Sequence, residues 1–250
     1  MRKRYLLLFA ILAYAIALLF TLPTVQLLRW VDIHPAALSG VGGSVWQGSA
    51  EQVQVNEFTA TDLRWRFLPA RLLLGEVAFG VQADYAGGPA EGRISADWRR
   101  QLHLRAFSHR LDARRLVDFM PLPLAEFSGA IRTDLEQLTV EEGALKSVNG
   151  KVRWDQATLT APFQTLLGNY RVDLRTTERG HRAELRGDGG TLGAEGDLRV
   201  QQDGRFNAQV TLTPTRNAPR ELVEQLNFMA RRQRDGKYLL RHAGRVQDFW

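Results

Sequence analysis

GNYRVDLRTTERGHRAELRGDGGTLGAEGDLRVQQDGRFNAQVTLT, residues 168–213, decides the fold. At its start Tyr170, Val172 and Leu174 alternate with Arg171, Asp173 and Arg175. At its end Phe206, Ala208, Val210 and Leu212 alternate with Arg205, Asn207, Gln209 and Thr211. A repeat of two places one set of side chains on each face of an extended strand, one face buried and one wet. Arg179-Gly180, Asp188-Gly189-Gly190 and Asp203-Gly204 punctuate the runs. Such pairs tolerate the positive φ of tight hairpin turns. The stretch therefore predicts a meander of about four antiparallel strands, the arrangement that sheets wetted on one face usually adopt.

The same alternation extends in both directions. Leu63, Trp65 and Phe67 alternate with Asp62, Arg64 and Arg66, and Val152 and Trp154 with Lys151, Arg153 and Asp155. Val77, Phe79, Val81, Ala83 and Tyr85 alternate with smaller or polar residues, so 44–108 reads as a further set of strands with one helical turn at Pro69–Leu74. Two helices interrupt the pattern. Leu111–Met120 is short, with Asp112 as its cap and Pro121-Leu122-Pro123 as its stop. Pro219–Arg232 starts on a proline suited to the first helical position, and Leu222, Val223, Leu226 and Met229 fall on one face that should meet the core. The fold class expected is mainly β: a large, curved antiparallel sheet, an open groove or a partial barrel, with two or three short helices. Extended chain on both sides of Pro121–Pro123 suggests halves at 31–120 and 124–250.

The N-terminus is of another kind. Arg2, Lys3 and Arg4 precede a run of 24 uncharged residues, Tyr5–Leu28, which ends at Arg29-Trp30. A helix rising about 1.5 Å per residue needs roughly 20 residues to cross the hydrocarbon core. Residues 5–28 are thus expected to anchor the chain, with residues 1–4 cytoplasmic, Trp30 at the interface, and 31–250 exported. A cleaved signal peptide is the competing reading. Ala13-Tyr14-Ala15 has the spacing of a cleavage site, but it lies inside the apolar run and would leave Leu18-Leu19-Phe20 near a new terminus.

Composition narrows the function. With no cysteine, the exported part has no disulfides, thiol nucleophiles or thiolate metal sites. Of the net charge of +6, the N-terminal flanks supply four positives, so the remainder is mildly basic and reads as a mixed-charge surface, not as a nucleic-acid footprint. His34, His103, His109, His181 and His242 include no pair at helical metal-ligand spacing, and His103 reads as a wet-face residue. Gly40-Val41-Gly42-Gly43-Ser44 lacks the lysine of a phosphate loop. Glu141-Glu142 before Gly143 would point to opposite faces of extended chain and suits a turn. No catalytic residue, metal or cofactor is expected. Trp46, Trp65, Trp98 and Trp154 fall in strand-like runs, as core rings or as the lining of a groove. Phe249-Trp250 suggests packing on the domain or a partner.

Several segments in order resemble one family. LPTVQLLRWV (22–31) is followed by GVGGSVWQGSAEQV (40–53), TATDLRWRFLPARLLLGEVAFGV (59–81), MPLPLAEFSGAIRTDLEQLTVEEG (120–143), VNGKVRWDQATLT (148–160) and GNYRVDLR (168–175). This order resembles the type II secretion system protein N family, also called general secretory pathway protein N. The resemblance implies a single-span inner-membrane protein of Gram-negative bacteria with a periplasmic domain. It would be an accessory part of the machine that exports folded proteins across the outer membrane, with other secretion components and the inner membrane as its partners. The family is also similar to AsmA-like proteins, which implies a hydrophobic groove and lipid as a further partner. Three functions follow: a non-enzymatic interaction protein, a lipid- or hydrophobe-binding module, and, least favoured, an envelope enzyme.

Overall fold

The structure, a computed structural model, describes residues 38–55, 58–118 and 126–245. The expected anchor at 5–28, its flanks Arg2, Lys3, Arg4, Arg29 and Trp30, the Pro121–Pro123 segment and Phe249-Trp250 lie outside the described residues. Among the described residues no helix is long and apolar enough to cross a membrane. The chain forms two compact units, one ending at Trp98 and the other beginning at Arg99.

In the first unit, β1 (Leu38–Ser39) and β2 (Gly42–Gly43) both pair with β3 (Gln47–Val55), and β4 (Phe58–Phe67), β5 (Glu76–Tyr85) and β6 (Gly88–Asp97) follow in order, all antiparallel. Pro69–Leu74 forms the expected single turn of helix, of 3₁₀ type, closed by Gly75 in the left-handed region. One face of the sheet is apolar because the register aligns the alternating sets. Gly48, Trp65, Val81 and Gly92 stand in one row across the strands, and Phe67, Phe79 and Ile94 in the next. Phe67 is buried between Trp46 and Phe79, with ring centroids at 4.6 and 5.5 Å.

The second unit holds β7 (Gln101–Asp112), β8 (Glu126–Glu141), β9 (Ala144–Ala161), β10 (Thr165–Thr177), β11 (Gly180–Asp188), β12 (Leu192–Val200), β13 (Arg205–Pro214), α1 (Arg220–Met229), β14 (Arg231–Arg232) and β15 (Tyr238–Arg245). The strands lie side by side in chain order up to β13, followed by β15 and then β14. The path does not return on itself, so this sheet is open and does not close into a barrel. β10–β13 are the four-strand meander that 168–213 predicts.

The core of this unit lies under α1. Leu222 and Leu226 pack with Ala157, Leu159, Leu167, Leu192 and Tyr238 on one end of the sheet, and Trp154, Tyr170 and Leu212 pack against this cluster.

Two helix boundaries need correction. Leu111 and Asp112 complete β7, opposite Ile131 and Ala130, because Leu111 belongs to the apolar face of the ladder. The helix there shrinks to a 3₁₀ turn at Ala113–Asp118, and Asp112 Oδ1 accepts the Arg114 N–H at 3.0 Å. In α1, Pro219 takes the cap position with ψ 148°, and Arg231 and Arg232 leave the helix to form β14. Met229, the last residue of α1, is 69 % exposed and does not join Leu222 and Leu226 in the core.

Candidate functional site

The two faces of the second sheet follow from its register. Partners directly opposite in a ladder share a face, so rows can be traced from strand to strand. One row runs Leu111, Ile131, Trp154, Tyr170, Gly187, Ala194, Leu212, Tyr238. The next runs His109, Thr133, Val152, Val172, Leu185, Gly196, Val210, Leu240. A third runs Phe107, Leu135, Gly150, Leu174, Ala183, Leu198, Ala208, His242. α1 covers only the first of these rows near its end. Farther along the strands Val172, Leu174, Leu185, Leu198 and Val210 are half-buried, sheltered by their lateral neighbours. This apolar face is the candidate site.

Tyr170 shows how the face is built. Its ring occupies the space above Gly187, where a Cβ would collide with it. Its hydroxyl donates to the Leu192 carbonyl at 2.8 Å, and burial pushes the phenol up to about 12. Trp154 stands beside it at 6.0 Å between ring centroids, edge-on to Phe127, and donates its indole N–H to the Ser128 carbonyl at 3.2 Å.

The opposite face is a charge lattice. A row containing Asp134, Lys151, Asp173, Glu184 and Asp197 lies between a row of Arg132, Arg153, Arg171 and Arg186 and a row of Arg175, Arg182 and Arg199. Acids placed side by side across strands would repel. Here arginines neutralise them from both sides: Arg153–Asp134 at 2.8 Å, Arg171–Asp173 at 2.7 Å, Arg175–Glu184 at 3.0 Å and Arg199–Asp197 at 2.6 Å. The hydrogen bond from Arg171 holds the Asp173 carboxyl below its usual range, and the bond to Asp197 raises the Arg182 guanidinium. A shallow depression of about 450 Å³ lined by Glu195, Asp197, Arg199, Asn207 and Gln209 lies on this face. With these charges internally paired, the face reads as a solvated surface.

The four tryptophans have separate settings. Trp46 sits in the bend before β3, against Phe67. Trp65 lies over Gly48 and donates its indole N–H to the carbonyls of Val45 (3.0 Å) and Ser44 (3.3 Å). Trp98 follows β6 and is 79 % exposed. Trp154 belongs to the second unit. His103 is not wet: it is buried, with Nδ1 at 3.1 Å from Thr139 Oγ1. Glu141 ends β8 and Glu142-Gly143 makes the turn with φ of 51° and 79°. The bond from Gln101 and the Lys146 ion pair at 2.8 Å lower the Glu141 carboxyl. Among the described residues no group of three or more His, Asp or Glu gathers where a metal could bind. The row structure of the apolar face escaped sequence reading because it depends on strand register.

The fold and the site thus define a mainly β protein with a two-faced antiparallel sheet, apolar on one side and internally neutralised on the other. The sequence model of the type II secretion system (T2SS) protein N family matches residues 35–241. The chain belongs to that family and is thereby a type II secretion component. It is similar to "Type II secretion system protein N" of Vibrio cholerae serotype O1, 26 % identical over 84 % of both chains. It is likewise similar to the protein of that name from Aeromonas hydrophila, 24 % identical over 94 % of this chain and 96 % of the relative. The protein of that name from Klebsiella pneumoniae is 28 % identical over 92 % of this chain and 91 % of the relative. No solved structure matches the chain.

Proposed function

We propose that the chain is a non-enzymatic accessory component of the type II secretion pathway, held in the inner membrane by residues 5–28 with its sheets in the periplasm. It aids export of folded proteins across the outer membrane by contacting other secretion components. The observation that carries this reading is the apolar face of β7–β15, whose rows continue beyond the cover of α1. Apolar surface of that extent on an exported domain favours a partner, because water contact there is costly. The topology rests on the uncharged run Tyr5–Leu28 behind Arg2-Lys3-Arg4.

The test is genetic. Deleting the gene should hold secretion substrates in the periplasm. The full chain should restore export, and a chain carrying Leu185→Glu with Val210→Glu should not, provided that it still folds. Export that proceeds normally without the gene contradicts the proposal.

The same face favours a second reading, an acyl-chain or other hydrophobe seated along the rows. Lipid mass spectrometry of the full chain purified in mild detergent distinguishes the two. Stoichiometric lipid that is lost with the Leu185/Val210 substitutions supports the groove, and an empty face removes it.

A further inference from the structure

The first unit carries apolar surface of a different kind. Its 3₁₀ turn, Pro69–Leu74, has no buried residue, and Leu72, Leu73 and Leu74 are 52, 89 and 68 % exposed. The turn is fixed to the sheet. The Leu68 N–H donates to the Ala78 carbonyl at 2.8 Å, and the Gly75 N–H closes the turn on the Leu72 carbonyl at 3.0 Å. Leucines held outward by such a scaffold are costly in water. A 3₁₀ helix has three residues per turn, so consecutive side chains diverge by about 120°. The three leucines therefore form a convex tip that is apolar on every side. From Leu68 to Gly75 the sequence LPARLLLG holds no acid, and its one charge, Arg71, lies 3.7 Å from Glu76. Trp98, also exposed, stands beside the turn, 3.8 Å from the position of a Cβ at Gly75.

From this tip we infer a membrane contact: Leu72, Leu73 and Leu74 insert into the periplasmic leaflet of the bilayer that holds residues 5–28. The inference rests on the anchor proposed above and adds a second point of attachment to it. Three considerations select lipid as the occupant. A partner's groove, or the same tip on a second copy, would cover one side of the turn and leave another leucine in water, whereas fluid hydrocarbon closes round all three. Insertion also desolvates no carboxylate, because the tip has none and the nearest acid, Glu76, faces Arg71 and accepts from Ser95 Oγ at 3.3 Å. The third consideration is reach. Residues 29–37 can span roughly 30 Å at full extension. Leu38 stands opposite Val53, and Val53 opposite Ala60. From Ala60 to Phe67, where β4 gives way to the turn, the strand rises about 23 Å. The tether is thus longer than the sheet is tall, and the tip meets the bilayer even with the strands upright on it. Tethering makes the insertion intramolecular, so a tip of three leucines suffices.

The chain has no cysteine, so Leu73→Cys takes a single polarity-sensitive fluorophore. The test uses that full chain in vesicles of phosphatidylethanolamine and phosphatidylglycerol. Its emission should shift to the blue, be quenched by lipids spin-labelled on the acyl chain, and be shielded from iodide in the water. High salt should leave these signals unchanged, because apolar transfer and not charge drives them. A label at Asp84→Cys, opposite Thr61 at the far end of β5, should remain open to iodide. Leu72→Ser with Leu74→Ser should return the label at 73 to the iodide quenching seen at 84, with the urea midpoint unchanged, since both side chains are already exposed. If that pair does not fold, the comparison of the labels at 73 and 84 still decides. Equal iodide quenching at 73 and 84 overturns the inference. So does a blue shift at 73 without acyl-chain quenching, which marks a protein partner or a second copy. Flotation after alkaline carbonate separates this inference from the anchor. A chain that stays with the vesicles while its label at 73 lies in water sinks the tip and leaves the anchor standing. A chain that carbonate strips fails the anchor and the tip with it.

Discussion

At the scale of single residues, the sheets are held by a few aromatic rings seated on glycines. Trp65 covers Gly48 in the first unit and Tyr170 covers Gly187 in the second, each pair directly opposed across neighbouring strands. Aromatic rings over cross-strand glycines restore the packing that a glycine forfeits in a strand. Gly48→Ala should displace the Trp65 indole and break its two hydrogen bonds, costing about 1–3 kcal/mol. Urea unfolding followed by tryptophan fluorescence checks this, with a red-shifted native spectrum expected. Tyr170→Phe leaves the Leu192 carbonyl without the phenol donor and should cost about 1–2 kcal/mol. The pH dependence has a definite sign. The folded phenol is raised to about 12 against an ordinary value of 10.0, so its contribution is intact below pH 10 and lost as pH climbs toward 12. Wild type should lose stability over that window, and Tyr170→Phe should show a shallower loss. The alternation around Tyr170 and Trp65 is legible in the sequence, but their glycine seats are not, because Gly187 and Gly48 become their neighbours only once the strands pair.

At the scale of elements, period-two alternation located the strands of 168–213, and the Asp-Gly pairs located their turns. These are local signals, and local chemistry decides them. The failures arose where a ladder competes with a helix. Leu111 and Asp112 have a helical start pattern, yet a place opposite Ile131 and Ala130 outweighs a short, uncovered helix. At the far end, Arg231 and Arg232 exchange a last helical turn for pairing with β15. α1 contributes through Leu222 and Leu226, both buried. Leu226→Ala should cost about 2–5 kcal/mol in a denaturant titration, whereas Phe228→Ser, at a side chain 95 % exposed, should change stability little. In the charge lattice, Glu184 lies within reach of Arg175, Arg182 and Arg186. Glu184→Gln should cost about 1 kcal/mol or less at physiological salt and less again at high salt, since exposed pairs are weak and screened. A larger, salt-independent loss would mean that the lattice does more than neutralise itself.

At the scale of the whole molecule, sequence reading reached the family and the one-sided sheet, and it missed the site's layout. Each row of the apolar face draws its side chains from strands spread over more than a hundred residues, from Leu111 to Tyr238 in the first row. Only register assembles them. The central claim is that this chain acts in secretion by contact through the apolar face. Leu198 and Arg199 are adjacent residues that point to opposite faces of β12, so they test that claim with the least ambiguity. A photo-crosslinking amino acid placed at each in secreting cells is the most direct measurement. The account predicts a covalent adduct to another secretion component from position 198 and none from position 199. Absence of any secretion component at position 198, or equal capture from both faces, would contradict it.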